Sequence, residues 1–188
     1  MNKKYFIIAA LAVILAAALW PGIVVKHYID ESGKIDSEIK LAVISDLHSG
    51  IYGENQKQLL GVLHRQNPDV ILLTGDIADD RVSHDGTRQL LEALGGIFPC
   101  FYVSGNHEFW SGEADYIKDM IRSFGVKVLE GECEIIEIQG QKLRICGVDD
   151  PERFDAHVYT EDGWKKQFNN CRAETGDGIY SVLLSHRP

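Results

Sequence analysis

Three apolar runs, each ending in a polar cluster, recur at an interval that few folds accommodate. Leu41-Ala42-Val43-Ile44, Val70-Ile71-Leu72-Leu73 and Cys100-Phe101-Tyr102-Val103 are of strand length and carry no charge. They lead into Asp46-Leu47-His48, Gly75-Asp76 and Gly105-Asn106-His107-Glu108. Asp46 to Asp76 is 30 residues, and Asp76 to Asn106 is 30 again, about the length of one βαβ unit. Unbroken apolar runs, rather than alternating ones, suit strands buried on both faces. Between them, Glu54 to Gln66 carries Leu59, Leu60 and Leu63, and His84 to Leu94 carries Leu90, Leu91 and Leu94, at helical spacing among polar residues. Both read as crossover helices. The fold class is therefore α/β with a parallel sheet. In such sheets ligands gather beyond the carboxyl ends of the strands, so the three clusters are expected to share one crevice.

A fourth apolar run, Tyr180 to Leu184, ends in Ser185-His186. A helix is expected from about Gly112 to Phe124. A hairpin is expected from Glu134 to Ile138 and from Lys142 to Ile145, about a turn at Gln139-Gly140-Gln141. Cys133 and Cys146 flank that hairpin. An outward-facing domain would permit a disulfide between them, although register cannot be read from sequence. Cys100, inside an apolar run, reads as a small core residue. No C-x-x-C pair is present, so a zinc ribbon or thioredoxin-like motif is not indicated.

The 188 residues leave room for one domain with a sizeable core. The formal charge is −9, and −11 once Lys3 and Lys4 are set aside. An acidic surface disfavours polyanion binding, so nucleic acid is not an expected partner. From Tyr5 to Val25 there are 21 residues without a charge, behind Lys3 and Lys4. A stretch of that length can span a bilayer core of about 30 Å, and its positive flank places the globular part on the outer side. The expectation is a membrane anchor over residues 1–27, a linker over 28–39 and the domain over 40–188. Cleavage near Ala16-Ala17-Ala18, giving a secreted form, is the competing reading.

Each cluster has a plain alternative. Asp46 and His48, at alternate positions of an extended segment, would point the same way and face one ion. Otherwise they are a capping Asp and a surface His. Asp76 ends the middle unit, and its two carboxylate oxygens allow it to bridge two cations. Asp79 and Asp80 read as solvated loop charges or supporting groups rather than ligands. In Gly105-Asn106-His107-Glu108 the glycine permits close backbone approach. Asn106 offers a neutral oxygen ligand, and His107 can sit near a bound phosphate without being tied to metal. Glu108 is either a ligand-orienting group or an acid near a helix start. His186 is the fourth candidate ligand at a strand end. His64, His84 and His157 lack such a context.

In order, D-x-H, G-D, G-N-H-E and a strand followed by His resemble the calcineurin-like metallophosphoesterase superfamily, from about Lys40 onward. Gly105 to Gly112 (GNHEFWSG), Gly147 to Pro151 (GVDDP) and Leu183 to Pro188 (LLSHRP), behind an apolar amino-terminal segment, look like its bacterial membrane-associated phosphohydrolase branch. The resemblance implies a four-layer α/β sandwich and a binuclear metal centre. Asp46 and His48 would bind one ion, Asp76 would bridge, Asn106 and His186 would bind the second, and His107 would assist the leaving group. The implied reaction is hydrolysis of a phosphomonoester or phosphodiester by a hydroxide held between the metals. Mixed oxygen and nitrogen ligands suit manganese, iron or zinc. A small phosphorylated substrate, with a lipid or envelope phosphate in view of the anchor, is the expected partner.

The family closes its site with a downstream G-H-x-H segment that gives one His to each metal, and the sequence contains none. The expectation is an amino-terminal portion of a longer protein that holds metal weakly by itself, with a natural short form as the alternative. A non-catalytic metal-binding or interaction domain is the second functional reading. A nucleotide-binding protein is disfavoured, since no G-x-x-x-x-G-K-[ST] or G-x-G-x-x-G follows any strand.

Overall fold

The structure, a computed structural model, describes Tyr5, residues 22–154 and residues 161–187. Most of the expected membrane anchor lies outside the described residues, as does His157. Among the described residues, no helix is long and apolar enough to cross a membrane.

The four strands β1 (Leu41–Ile44), β2 (Val70–Thr74), β3 (Cys100–Val103) and β4 (Lys127–Val128) form a parallel sheet in that order. Helix α1 (Lys57–Gln66) connects β1 to β2, and α2 (Asp85–Leu94) connects β2 to β3. Two helices, α3 (Asn106–Trp110) and α4 (Ala114–Ser123), lead on to β4. The central strands explain their own composition. Ile71, Leu73, Cys100 and Tyr102 pack with Leu59, Leu63, Leu90, Leu91, Leu94, Ile117 and Ile121 of the helices. Val70, Leu72, Phe101 and Val103 face the other way, onto a second sheet. Burial on both faces leaves no position for a polar residue, hence the unbroken apolar runs. β1 departs from the expectation. It is the edge strand, and Val43 is 62% exposed.

The second sheet is built from β5 (Glu132–Ile138), β6 (Gln141–Gly147) and β7 (Tyr180–Leu184). β5 and β6 are antiparallel and meet at Gln139 and Gly140, both at positive φ. That is the twist a two-residue hairpin loop requires. Cys133 lies directly opposite Cys146, and the two form a disulfide, so the register makes the pairing left open by the sequence. β7 adds parallel to β6. Leu143, Ile145 and Leu184 meet the first sheet, while Trp164, Phe168 and Cys171 of α5 (Glu161–Ala173) cover Cys146 and Val148 on the outer face. The layers run helices, sheet, sheet, helix. Gly147 allows the sheets to close, since a Cβ there would meet a Val103 methyl at 2.5 Å.

Candidate metal centre

The loops after β1, β2, β3 and β7 meet at one edge of the two sheets. Backbone bonds tie the first pair together: Asp46 N–H donates to the Gly75 carbonyl, and His48 N–H donates to the Asp76 carbonyl. His186 then reaches across from the second sheet, where its Nδ1 is 2.9 Å from the Thr74 carbonyl oxygen. All four clusters thus share the crevice, including the one from the other sheet.

Asp76 stands at the centre with its side chain almost wholly buried. Its Oδ2 is 3.3 Å from His186 Nε2, 3.8 Å from His48 Nε2 and 4.0 Å from His107 Nε2. Its Oδ1 accepts the His107 backbone N–H at 2.9 Å. Two overlapping groups of donor atoms result: His48 with Asp76 and His107, and Asp46 with Asp76 and His186. Asp46 also lies 3.9 Å from His48 Nε2. Asn106 is 9% exposed at the start of α3, next to the backbone group that Asp76 holds.

The local backbone differs from the extended segment expected around Asp46 and His48. Asp46, His48 and Asp76 have φ of 55°, 48° and 53°, in the left-handed region, so a curled loop brings the first two together. Aspartate and histidine tolerate that region better than most residues, and such strain concentrates at functional sites. Two glycines make room. A Cβ on Gly105 would lie 2.2 Å from Asp76 Oδ1, and one on Gly75 would lie 2.6 Å from His186 Nδ1.

Glu108 is fully buried and accepts four backbone N–H groups, from Asp76, Ile77, Ala78 and Gly105, at 2.7 to 3.0 Å. Burial pushes its carboxyl above the usual range, against the pull of those donors. Of the two roles open to Glu108, the orienting one matches this arrangement. Asp79 and Asp80 are not solvated loop charges. Asp80 Oδ1 is 2.7 Å from His107 Nδ1, and Asp79 Oδ2 is 3.3 Å from His48 Nδ1. The bond to His107 holds the Asp80 carboxyl below its ordinary value. Asp76 is also lowered: burial opposes ionisation, but His186 and the His107 N–H outweigh it. Asp76 in turn raises His186 to about 9.

These residues suit divalent cations. Four carboxylates, from Asp46, Asp76, Asp79 and Asp80, face three imidazoles. Arg81 is paired with Asp80, and among the described residues no Lys or Arg is paired with Asp46, Asp76 or Asp79. The buried Nδ1 of His48 lies 3.3 Å from Asp79 Oδ2 but makes no hydrogen bond of good geometry. Carboxylate, imidazole and amide donors at this density match metals that accept mixed oxygen and nitrogen ligands.

Behind the site, Asp149 is a hub that spacing did not single out. It accepts from Ser104 Oγ at 2.6 Å, Lys118 Nζ at 2.6 Å and Gln167 Nε2 at 3.1 Å, and it pairs with Arg153. Asp150 donates its N–H to Ser104 Oγ at 3.2 Å and pairs with Arg187 at 3.0 Å. The GVDDP segment therefore anchors the residue before Gly105. Its two aspartates were visible as a motif, but their partners Ser104, Lys118, Arg153, Gln167 and Arg187 are spread over separate segments.

Comparison with known proteins agrees with this geometry. Residues 39–188 match the family model described as calcineurin-like phosphoesterase. A metallophosphoesterase of Aquifex aeolicus is 32% identical over 87% of this chain and 62% of its own length. A zebrafish (Danio rerio) protein described as a transmembrane protein with metallophosphoesterase domain is 27% identical, over 80% of this chain and 35% of its own. The chain thus spans from about a third to three fifths of the length of such relatives. In fold it is similar to the phosphopantetheinyl hydrolase of Mycobacterium tuberculosis, with a TM-score of 0.55, 23% identity, and coverage of 82% of this chain and 70% of that one.

Proposed function

This chain belongs to the calcineurin-like phosphoesterase family, and from that premise we propose that it hydrolyses a phosphate ester using two divalent metal ions. Asp46, His48, Asp76, Asn106 and His186 would hold the ions, with Asp76 between them. The observation that carries the reading is the position of Asp76, whose Oδ2 is within 4 Å of imidazoles from β1, β3 and β7 loops alike.

When bound, the cations supply the acidity that makes water nucleophilic near neutral pH, and positive charge opposite the phosphoryl oxygens. The chain's own groups supply the rest. The Thr74 carbonyl accepts the Nδ1 proton of His186, which leaves Nε2 directed at the ligand site. Asp80 does the same for His107 and turns its Nε2 into the cleft. From there His107 would hand a proton to the departing alcohol oxygen, and the new hydroxyl leaves neutral. Glu108 keeps the Asp76 loop in its strained form through four backbone bonds.

Metal content, with hydrolysis of an aryl phosphate and a bis-aryl phosphate, tests the reading on this chain and on one extended to the length of its relatives. Asp76→Asn is expected to lower both metal content and turnover. If it leaves both intact, the assignment is wrong. If His107→Ala leaves turnover of an aryl phosphate intact, its assigned role is wrong. A membrane-attached domain facing outward, with a lipid or envelope phosphate as substrate, is proposed on the apolar residues 5–25 and on relatives described as transmembrane proteins. Protease accessibility on intact cells tests it, and a protected domain would overturn it.

A further inference from the structure

We propose that Trp110 forms an aromatic wall for the leaving group, and that the substrate is therefore a phosphate ester whose alcohol carries a flat or apolar body directly beside the ester oxygen. The inference rests on the hydrolytic reading above and adds the substrate class to it.

Trp110 ends α3, three residues after His107, so its side chain lies one helical turn away on the same side of the helix. Its ring centroid is 4.8 Å from that of His107 at an interplanar angle of 53°. The other ring in contact with His107 is that of His48, at 4.4 Å and nearly perpendicular. His107 is thus in ring contact with both a ligand candidate and an indole. A leaving oxygen that takes its proton from His107 Nε2 would have that indole within reach of its carbon substituent.

A structural role does not account for Trp110. It is 54% exposed, and it belongs to none of the hydrophobic clusters formed by the described residues. An indole normally buries much of its area in a core. Further exposed apolar residues follow the same strands. Val82, two residues past the His107 partner Asp80, is 55% exposed, and Ile51, three residues past His48, is 57% exposed. Tyr116 is 54% exposed and accepts a hydrogen bond from Arg88 at 2.5 Å. Single exposed apolar residues are ordinary. These four stand on the segments that follow β1, β2 and β3, the same edge that carries the candidate ligands. A highly polar alcohol, such as a sugar hydroxyl, would gain little from such walls.

The test compares two non-hydrolysable probes on the full chain loaded with manganese: 1-naphthylmethylphosphonate and methylphosphonate, with affinities measured by calorimetry. The naphthyl probe is expected to bind about tenfold tighter, the size of one good aromatic contact. Trp110→Ala should bring the ratio of the two affinities close to one, and Trp110→Phe should keep most of it. A naphthyl probe that binds no tighter than the methyl probe, or a preference that survives Trp110→Ala, overturns the proposal. Turnover of 1-naphthyl phosphate is measured alongside. Preferential binding without turnover would count against hydrolysis while leaving the aromatic wall standing.

Discussion

Replacing Glu108 with Gln should destabilise the protein more than any other isosteric change at the site. Oε1 accepts from Ile77 and Ala78 at 2.7 and 3.0 Å, and Oε2 accepts from Asp76 and Gly105 at 3.0 and 2.8 Å. The two oxygens share the donors equally. Whichever one becomes an NH2 group, two buried N–H groups lose their acceptor and face a donor instead. An unsatisfied buried donor costs about 1 to 3 kcal/mol, so the pair costs about 2 to 6 kcal/mol. Burial of the carboxylate is itself unfavourable, which raises its pKa. Removing the charge recovers part of the loss, and about 3 kcal/mol is the expected net change. For a chain of this size that is a fall in Tm of about 6 to 12 °C. Thermal unfolding followed by tryptophan fluorescence measures it, with Glu113→Gln as control. The Glu113 side chain is 62% exposed, and its replacement should stay within about 0.5 kcal/mol. A Glu108→Gln protein that melts within 2 °C of the parent would refute the reasoning. The Asp76 loop would then hold its positive φ without Glu108.

Three further outcomes follow from particular contacts. Asp80→Asn removes the charge that orients His107. It should slow phenyl phosphate hydrolysis about 10- to 100-fold and slow 4-nitrophenyl phosphate less, because a better leaving group needs less protonation; equal losses would argue against a proton-donor role for His107. Lys118→Met strips Asp149 of a buried cation at 2.6 Å. It should cost about 3 kcal/mol in urea unfolding, and combining it with Asp149→Leu should restore part of that loss, since unpaired charge is the main penalty. Glu130 is one of the acid-sensitive groups: burial would raise its pKa, but Lys118 and Arg153 bring it down from 4.5 to about 2. Its folded pKa is depressed, so its stabilisation is complete above about pH 4.5 and is lost as pH falls toward 2. The amount is roughly 2 kcal/mol after allowing for its partial exposure. Glu130→Gln should flatten the urea midpoint against pH over that window, and an unchanged slope would contradict the assignment.

Strands, crossovers and the polar loops at the strand ends were legible for one reason, since each is a local pattern. β2 and β3 are buried on both faces, so their composition announces them, and the chain must return over about 30 residues to place the next strand alongside. β1 reads the same way in sequence yet is an edge strand with Val43 exposed, because composition cannot tell which apolar run has a neighbour on both sides. β4 is two residues long and carries no signal of its own. The harder losses were relational. Asp79 and Asp80 are adjacent in sequence, where loop charge and supporting group were both open readings, and only the contacts with His48 and His107 decide for the second. Nothing in their spacing separates a carboxylate that faces water from one that faces an imidazole on another loop.

The same limit applies with more force to Asp149, whose partners Ser104, Lys118, Arg153 and Gln167 come from four separate segments. These relations are what the strained loops depend on. Asp46, His48 and Asp76 sit at positive φ, an arrangement that costs of order 1 to 3 kcal/mol per residue. Glu108 holds the Asp76 loop from one side, and Asp149, through Ser104, holds the start of α3 from the other. A sequence carrying only the ligand motifs would therefore have the donor atoms for a metal centre without the means to keep them converged. The residues that make the site hold its shape are the buried acids Glu108 and Asp149, neither of which needs to touch a metal or a substrate.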